Sequence, residues 1–301
     1  MTDTLTVTRE PPRTSGRRRP AGVLSAVAAV VTVALNIAYP LAGDTGRDRL
    51  SVLTVGVFAL ASVSGAWAFA GRRAAVTVFL VAAVTGLVAE VVGVSTGIPF
   101  GDYSYADSLG TKLAGVPLVV PLAWVMMAWP AWIVGTALAA RLPVRRPRVL
   151  AWLAAGWALA SWDLFLDPQM VAAGHWTWTT GPGVASPLPG VPGIPVSNYL
   201  GWLGVSLLVT GALALARVPG AAVERVPGPA AALYLWTWVG GVVANAAFFD
   251  RPAVAVVGGG GMGLVGVPFA VVLLRRRAAR PVGRRGSHSI RSSPASRGSR
   301  R

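Results

Sequence analysis

The sequence predicts an all-α, polytopic integral membrane protein of about eight transmembrane helices. Composition, the length of the apolar blocks and the sorting of the basic residues carry that prediction. Of 301 residues, 54% are hydrophobic and only 13% charged, about half the charge of an ordinary soluble domain. The apolar residues fall in blocks of roughly 18 to 25, long enough to cross a core of about 30 Å as helices and too long for barrel strands. Soluble enzymes and water-filled barrels are thereby excluded.

The elements follow in order. A basic arm, 1–20, precedes the first span at 21–42; it resembles a signal-peptide n-region, but seven further spans make an uncleaved first helix the better reading. Spans two and three, 50–70 and 74–94, are separated by Gly71-Arg72-Arg73. A polar loop rich in Gly and Tyr leads to 116–140, and an arginine cluster at 141–148 leads to 149–166. A long Gly/Pro loop precedes 197–216, and shorter breaks precede 229–249 and 253–274. The transmembrane domain is thus 21–274. The tail, 275–301, is Arg, Ser, Gly and Pro with almost nothing to bury, so disorder is expected there.

An even number of spans places both termini on one side. Only Arg47, Arg49, Lys112 and Arg251 of the 27 basic residues fall on the other side. The positive-inside rule then gives a cell-membrane protein with both termini cytoplasmic. The net charge of +16 is a topology signal of this kind, and no nucleic-acid partner is expected.

There is no Cys, and the only histidines are His175 and His288. Thiolate metal sites, iron–sulfur clusters, Cys nucleophiles and membrane di-iron centres with clustered His ligands are excluded. His175 is expected at the surface. Gly258, Gly260 and Gly263 spell G-x-G-x-x-G, but no strand precedes them. Close helix packing through Gly259 and Gly263 is the better reading.

Most acidic residues belong to the outer loops, with two exceptions. Glu90 and Asp163 lie 15 to 17 residues beyond the arginines that begin their spans, Arg73 and Arg148. At about 1.5 Å per residue they stand roughly 22–25 Å up a core of about 30 Å. An ionisable group at such depth costs on the order of 2.5–3.5 kcal/mol at the centre and is usually functional.

Aligning these two carboxyls exposes an internal repeat. Eleven residues after each comes Gly, any residue, aromatic, hydroxyl, aromatic: Gly101-Asp-Tyr-Ser-Tyr105 and Gly174-His-Trp-Thr-Trp178. Gly115-Val-Pro117, Leu122 and Trp124 then match Gly193-Ile-Pro195, Leu200 and Trp202, after five extra residues in the second loop. Spans 3–4 and 5–6 would form a parallel repeat about an axis along the membrane normal, with Glu90 and Asp163 facing one cavity. Trp124 and Trp202 also suit the interfacial aromatic belt. Asp163-Leu-Phe-Leu-Asp167 is a D-x-x-x-D, as used for magnesium diphosphate, but it has neither an acidic partner motif nor an outer basic cluster. Asn198 and Asn245 suit the orientation of a carboxyl or water, or interhelical hydrogen bonding.

Taken together, Glu90, Thr96–Tyr105, Gly115–Trp124, Trp162–Val171, Gly174–Trp178 and Asn198–Trp202 resemble the CruF-type carotenoid hydratases, which include the bisanhydrobacterioruberin and γ-carotene hydratases. The resemblance covers about residues 75–250. It implies addition of water to a terminal double bond of an acyclic carotenoid, giving a tertiary alcohol, with no cofactor and no metal. The chemistry asks for a carboxylic acid to protonate the alkene, a carboxylate to take the proton of water, and aromatic faces to stabilise the cation. Glu90 and Asp163 are the expected acid and base in either order. Asp167 and Asn198 orient them, and Tyr103, Tyr105, Trp124, Trp176 and Trp178 line the substrate. The expected partners are a lipid-soluble polyene, the membrane and other carotenoid-pathway membrane enzymes. A membrane prenyltransferase, a carotenoid cyclase, and a transporter or lipid-binding protein remain alternatives on the residues alone.

Overall fold

A computed structural model describes residues 15–179, 187–188, 191–222 and 225–278. Residues 1–14 of the basic arm and 279–301 of the tail lie outside the described residues. Among those described, eight helical spans are long and apolar enough to cross a membrane. The chain is a multi-pass membrane protein.

Helices α1 (Ser15–Ala38), α2 (Asp44–Ala70) and α3 (Arg72–Thr96) provide the first three spans. Gly71, at φ 98°, makes the tight α2–α3 turn that an L side chain would resist. Helix α2 begins six residues before the expected 50, because Asp44–Arg49 winds its first turns at the polar end. Helix α4 (Val119–Ala139) is apolar on every side, and 83% of its apolar window is buried, against 28% for α1 and α3. It is therefore the central helix. Gly135 lets α4 meet α5, since a Cβ there would lie 2.6 Å from the Ala155 nitrogen.

The fifth span differs most from expectation. It runs Pro147–Ala172 as α5 (Pro147–Ala160) and α6 (Asp163–Ala172), joined through Ser161 and Trp162. It continues past Pro168, whose carbonyl accepts a 2.8 Å hydrogen bond from the Arg251 guanidinium. Asp167 is thereby kept on the helix. Helices α7 (Val196–Leu215), α8 (Gly228–Ala247) and α9 (Pro252–Ala278) complete the bundle. The α9 glycines are packing residues. A Cβ at Gly259 would lie 2.9 Å from Val242, and one at Gly263 would lie 3.3 Å from Trp238, both on α8.

Short strands occupy the loops on one side of the bundle. Strands β1 (Tyr103–Tyr105) and β4 (Trp176–Trp178) pair antiparallel, with Tyr103 opposite Trp178, Ser104 opposite Thr177 and Tyr105 opposite Trp176. Ala106 N to His175 O and Thr179 N to Asp102 O, both 2.8 Å, extend the ribbon. Residues Val116–Pro117, expected at the head of span four, form β3 of a hairpin with β2 (Lys112–Leu113). Strands β5 (Pro187–Leu188) and β6 (Val191–Pro195) form another before α7.

Candidate functional site

Glu90 lies near the end of α3, buried at 3% exposure. Its Oε2 accepts hydrogen bonds from the hydroxyls of Tyr103 (2.5 Å) and Tyr105 (2.8 Å), and its Oε1 accepts one from Trp124 Nε1 at 3.2 Å. Alternation along β1 would put Tyr103 and Tyr105 on one side of the strand, and both reach the same oxygen. Burial first, and the neighbouring Glu90 second, pushes both phenols well above their usual range, so they remain donors. The Trp124 indole reaches Glu90 because Gly86, one turn earlier on α3, presents no side chain. A Cβ there would lie 2.5 Å from the indole ring.

The second carboxyl cluster is built on α6. Asp163 and Asp167, four apart, lie on one helix face and are both buried. Asn198, in the first turn of α7, spans them. Its amide nitrogen donates to Asp163 Oδ2 at 3.0 Å and also to Asp167 Oδ2. Trp176 Nε1 donates to Asp167 Oδ1 at 3.1 Å. The Asn198 amide is thus the hydrogen-bonded link between the two carboxyls.

The two clusters meet at one cavity of about 60 Å³, whose polar lining includes Glu90, Asp167 and Asn198 with Tyr103 and Tyr105. Its apolar walls include Trp124, Trp176, Trp178 and Trp202. All nine residues expected at the site except Asp163 line it. Asp163 is fully buried and reaches the site through Asn198 and Asp167. Asp167, rather than Asp163, therefore shares the cavity with Glu90.

Aromatic packing fixes the walls. Trp124 and Trp202 stack at 4.1 Å between centroids with planes 14° apart, and Trp162 meets Trp202 edge-on at 5.9 Å. Tyr103 stacks on Trp178 at 5.7 Å, and Tyr105 meets Trp176 edge-on at 5.4 Å. Trp178 Nε1 is held by the Phe100 carbonyl at 2.9 Å. The indoles of Trp124 and Trp176 thus spend their donors on the carboxyls while also lining the cavity.

His175 is a correction to the sequence reading: it is fully buried, not superficial. Its Nδ1 lies 2.8 Å from Ser108 Oγ, and its Nε2 lies 3.7 Å from Asp48 on α2. Helix α2 and the β1 loop cover it, contacts that its aligned partner Asp102 does not make. Burial pushes the imidazole below its usual range. Trp162, Trp202 and Ser51 are further residues at or behind the site; Trp202 had a signal in the sequence through its match to Trp124, Trp162 only as the head of the Trp162–Val171 segment, and Ser51 none.

A family profile described as carotenoid biosynthesis protein matches residues 49–264, a range that contains every residue of the site. A bisanhydrobacterioruberin hydratase from Haloarcula japonica is 35% identical over 116 residues. That alignment covers 38% of this chain and 36% of the relative, so just over a third of the relative's length is matched. No solved structure matches.

Proposed function

Since the chain belongs to the carotenoid biosynthesis protein family, we propose that it hydrates a terminal carbon–carbon double bond of an acyclic carotenoid. The family and the apolar spans fit a lipid-soluble substrate and a membrane setting. The observation that carries the reaction is the placement of Glu90 and Asp167 in one aromatic-walled cavity. The relative's name, a hydratase, points the same way.

In this reading a proton passes from the Asp167 carboxyl to the CH carbon of the terminal double bond. The electron pair of that bond forms the new C–H bond and leaves a tertiary cation on the dimethyl carbon. Trp and Tyr faces stabilise the cation by about 0.5–2 kcal/mol each. Water adds its oxygen to the cation, and Glu90 takes the proton that water releases. The net change is one water added and no electron lost. A return of that proton from Glu90 to the aspartate pair resets the site. Tyr103, Tyr105 and Trp124 hold Glu90 as an acceptor, and Asn198 holds the aspartates in register. This assigns Asp167 as acid and Glu90 as base.

The same reading treats residues 90–124 and 163–202 as two copies about a twofold axis. The Ser104–Thr177 pairing and the Trp124–Trp202 stack support it, because matched positions meet at both places. It also places the termini in the cytoplasm and the cavity toward the outer leaflet, on the distribution of basic residues.

The test is chemical. Expressed in a host that accumulates an acyclic carotenoid, the chain should add the mass of one water per reacted end. In heavy-oxygen water the label must enter the hydroxyl. Glu90→Gln and Asp167→Asn should leave unhydrated precursor while still inserting. A ring-closed product of unchanged mass would replace this reading with a cyclase, and an unchanged profile on several acyclic substrates would remove it.

A further inference from the structure

A second cavity of about 180 Å³ lies beside the carboxyl chamber, walled by α1, α2, α6 and α8. Ser51 and Val55 of α2 and Leu166 and Met170 of α6 line both spaces. The two are therefore neighbours separated by these four side chains, which would form the neck between them. We infer that the second cavity binds the polyene shaft of the substrate, whose reactive end passes the neck into the carboxyl chamber. The inference rests on the hydration reading for what lies at the end of the chain, and on the cavity itself for the rest.

Three observations lead there. The chamber of about 60 Å³ has room only for the end of a long polyene, so the rest of the chain must extend beyond it, and the β1–β4 ribbon supplies Tyr103, Tyr105, Trp176 and Trp178 to its wall. The second cavity presents six aromatic rings, those of Tyr39, Phe58, Trp162, Phe165, Trp236 and Phe249, as flat partners for a conjugated chain. Its polar side chains are partly spent on their own helices: Thr237 donates to Leu233 O at 2.8 Å and Asn36 to Thr32 O at 3.1 Å. Beside the cavity, Ile37 on α1 and Val239 and Val243 on α8 are exposed, so its surroundings on the span surface are those of a lipid-facing mouth. Ser51, whose buried Oγ has no hydrogen-bond partner among the described residues, stands at the neck.

Because the chain has no cysteine, the cavity can be blocked reversibly in an already folded protein. Gly240 lines it, and a Cβ there meets nothing closer than its own helix's Trp236 at 3.5 Å, so Gly240→Cys should assemble and work. Benzyl methanethiosulfonate then places a phenyl group in the cavity. Hydration of a long acyclic carotenoid, and the pigment that copurifies with the solubilised protein, should both fall about tenfold or more, and reductant should restore both. The same label on Leu264→Cys, which is 68% exposed on α9, a helix that lines neither cavity, should change neither. Labelled Gly240→Cys that keeps its pigment and its activity overturns the inference. So does loss of hydration with pigment retained, which would make the cavity a water path. If the wild-type chain hydrates nothing but its pigment is still displaced by the label, the reaction assignment fails and the polyene site stands. Should Gly240→Cys fail to assemble, Ala244→Cys on the same wall gives the same readout.

Discussion

Replacing Asn198 by leucine removes the one side chain that joins the two aspartates. Asn198 is 1% exposed; leucine branches at the same carbon but is bulkier, so the comparison is made on assembled protein. What disappears are the amide hydrogen bonds to Asp163 Oδ2 and Asp167 Oδ2. A hydrogen bond to a charged group is worth about 1.5–3 kcal/mol. The contact exists before substrate binds, so part of that energy is common to ground and transition states. If the equivalent of one such bond is expressed in the transition state, the rate falls about 10- to 100-fold, at roughly 1.4 kcal/mol per decade. Asn198→Asp should be worse, since it substitutes a third carboxyl for the donor. Membranes with matched amounts of each variant would be supplied with an acyclic carotenoid in heavy-oxygen water, and labelled alcohol followed against substrate concentration. The expected signature is a lower kcat with KM nearly unchanged. Wild-type kcat in Asn198→Leu would refute the claim that this amide holds the proton-donating pair.

Three other outcomes can be checked with simpler measurements. Gly86→Ala should push Trp124 away from Glu90 and off Trp202, lowering the melting temperature by an overpacking cost of about 1–3 kcal/mol and slowing hydration; Gly56→Ala, where a Cβ meets nothing within 4 Å, is the neutral control. His175 is held below its unfolded pKa of about 6.5, so its contribution to stability is fully present above that pH and is lost as pH falls toward the lower folded value. Melting in detergent should therefore weaken from pH 7.5 to 5 more in the wild type than in His175→Gln, and equal slopes would contradict the assignment. With an impermeant maleimide on intact cells, Ser108→Cys should label and Arg146→Cys should not; the reverse pattern would invert the topology.

Hydropathy was enough to find all eight spans, because a bilayer leaves a long apolar run few alternatives. Their ends were less legible. The fifth span was expected to end at 166, yet the helix continues to Ala172, where the Arg251 contact to the Pro168 carbonyl depends on a loop 83 residues away. The aromatic-hydroxyl-aromatic motifs showed where the sequence repeats, but pairing of β1 with β4 is a long-range event. Depth counting marked Glu90 and Asp163 as unusual. It could not say which of Asp163 and Asp167 meets the cavity, since the two share a helix face one turn apart. The burial of His175 had no local signal at all, because its cover comes from α2.

The ribbon that joins β1 to β4 also has a mechanical meaning. A carrier that rocks between two open states must part its halves on one side of the membrane in each cycle. Here that seam is sewn by main-chain hydrogen bonds, each worth about 0.5–1.5 kcal/mol net, and by the Tyr103–Trp178 and Trp124–Trp202 stacks. Parting it would break all of them together. The two loops are thus tied into a single unit, whose halves move together or not at all.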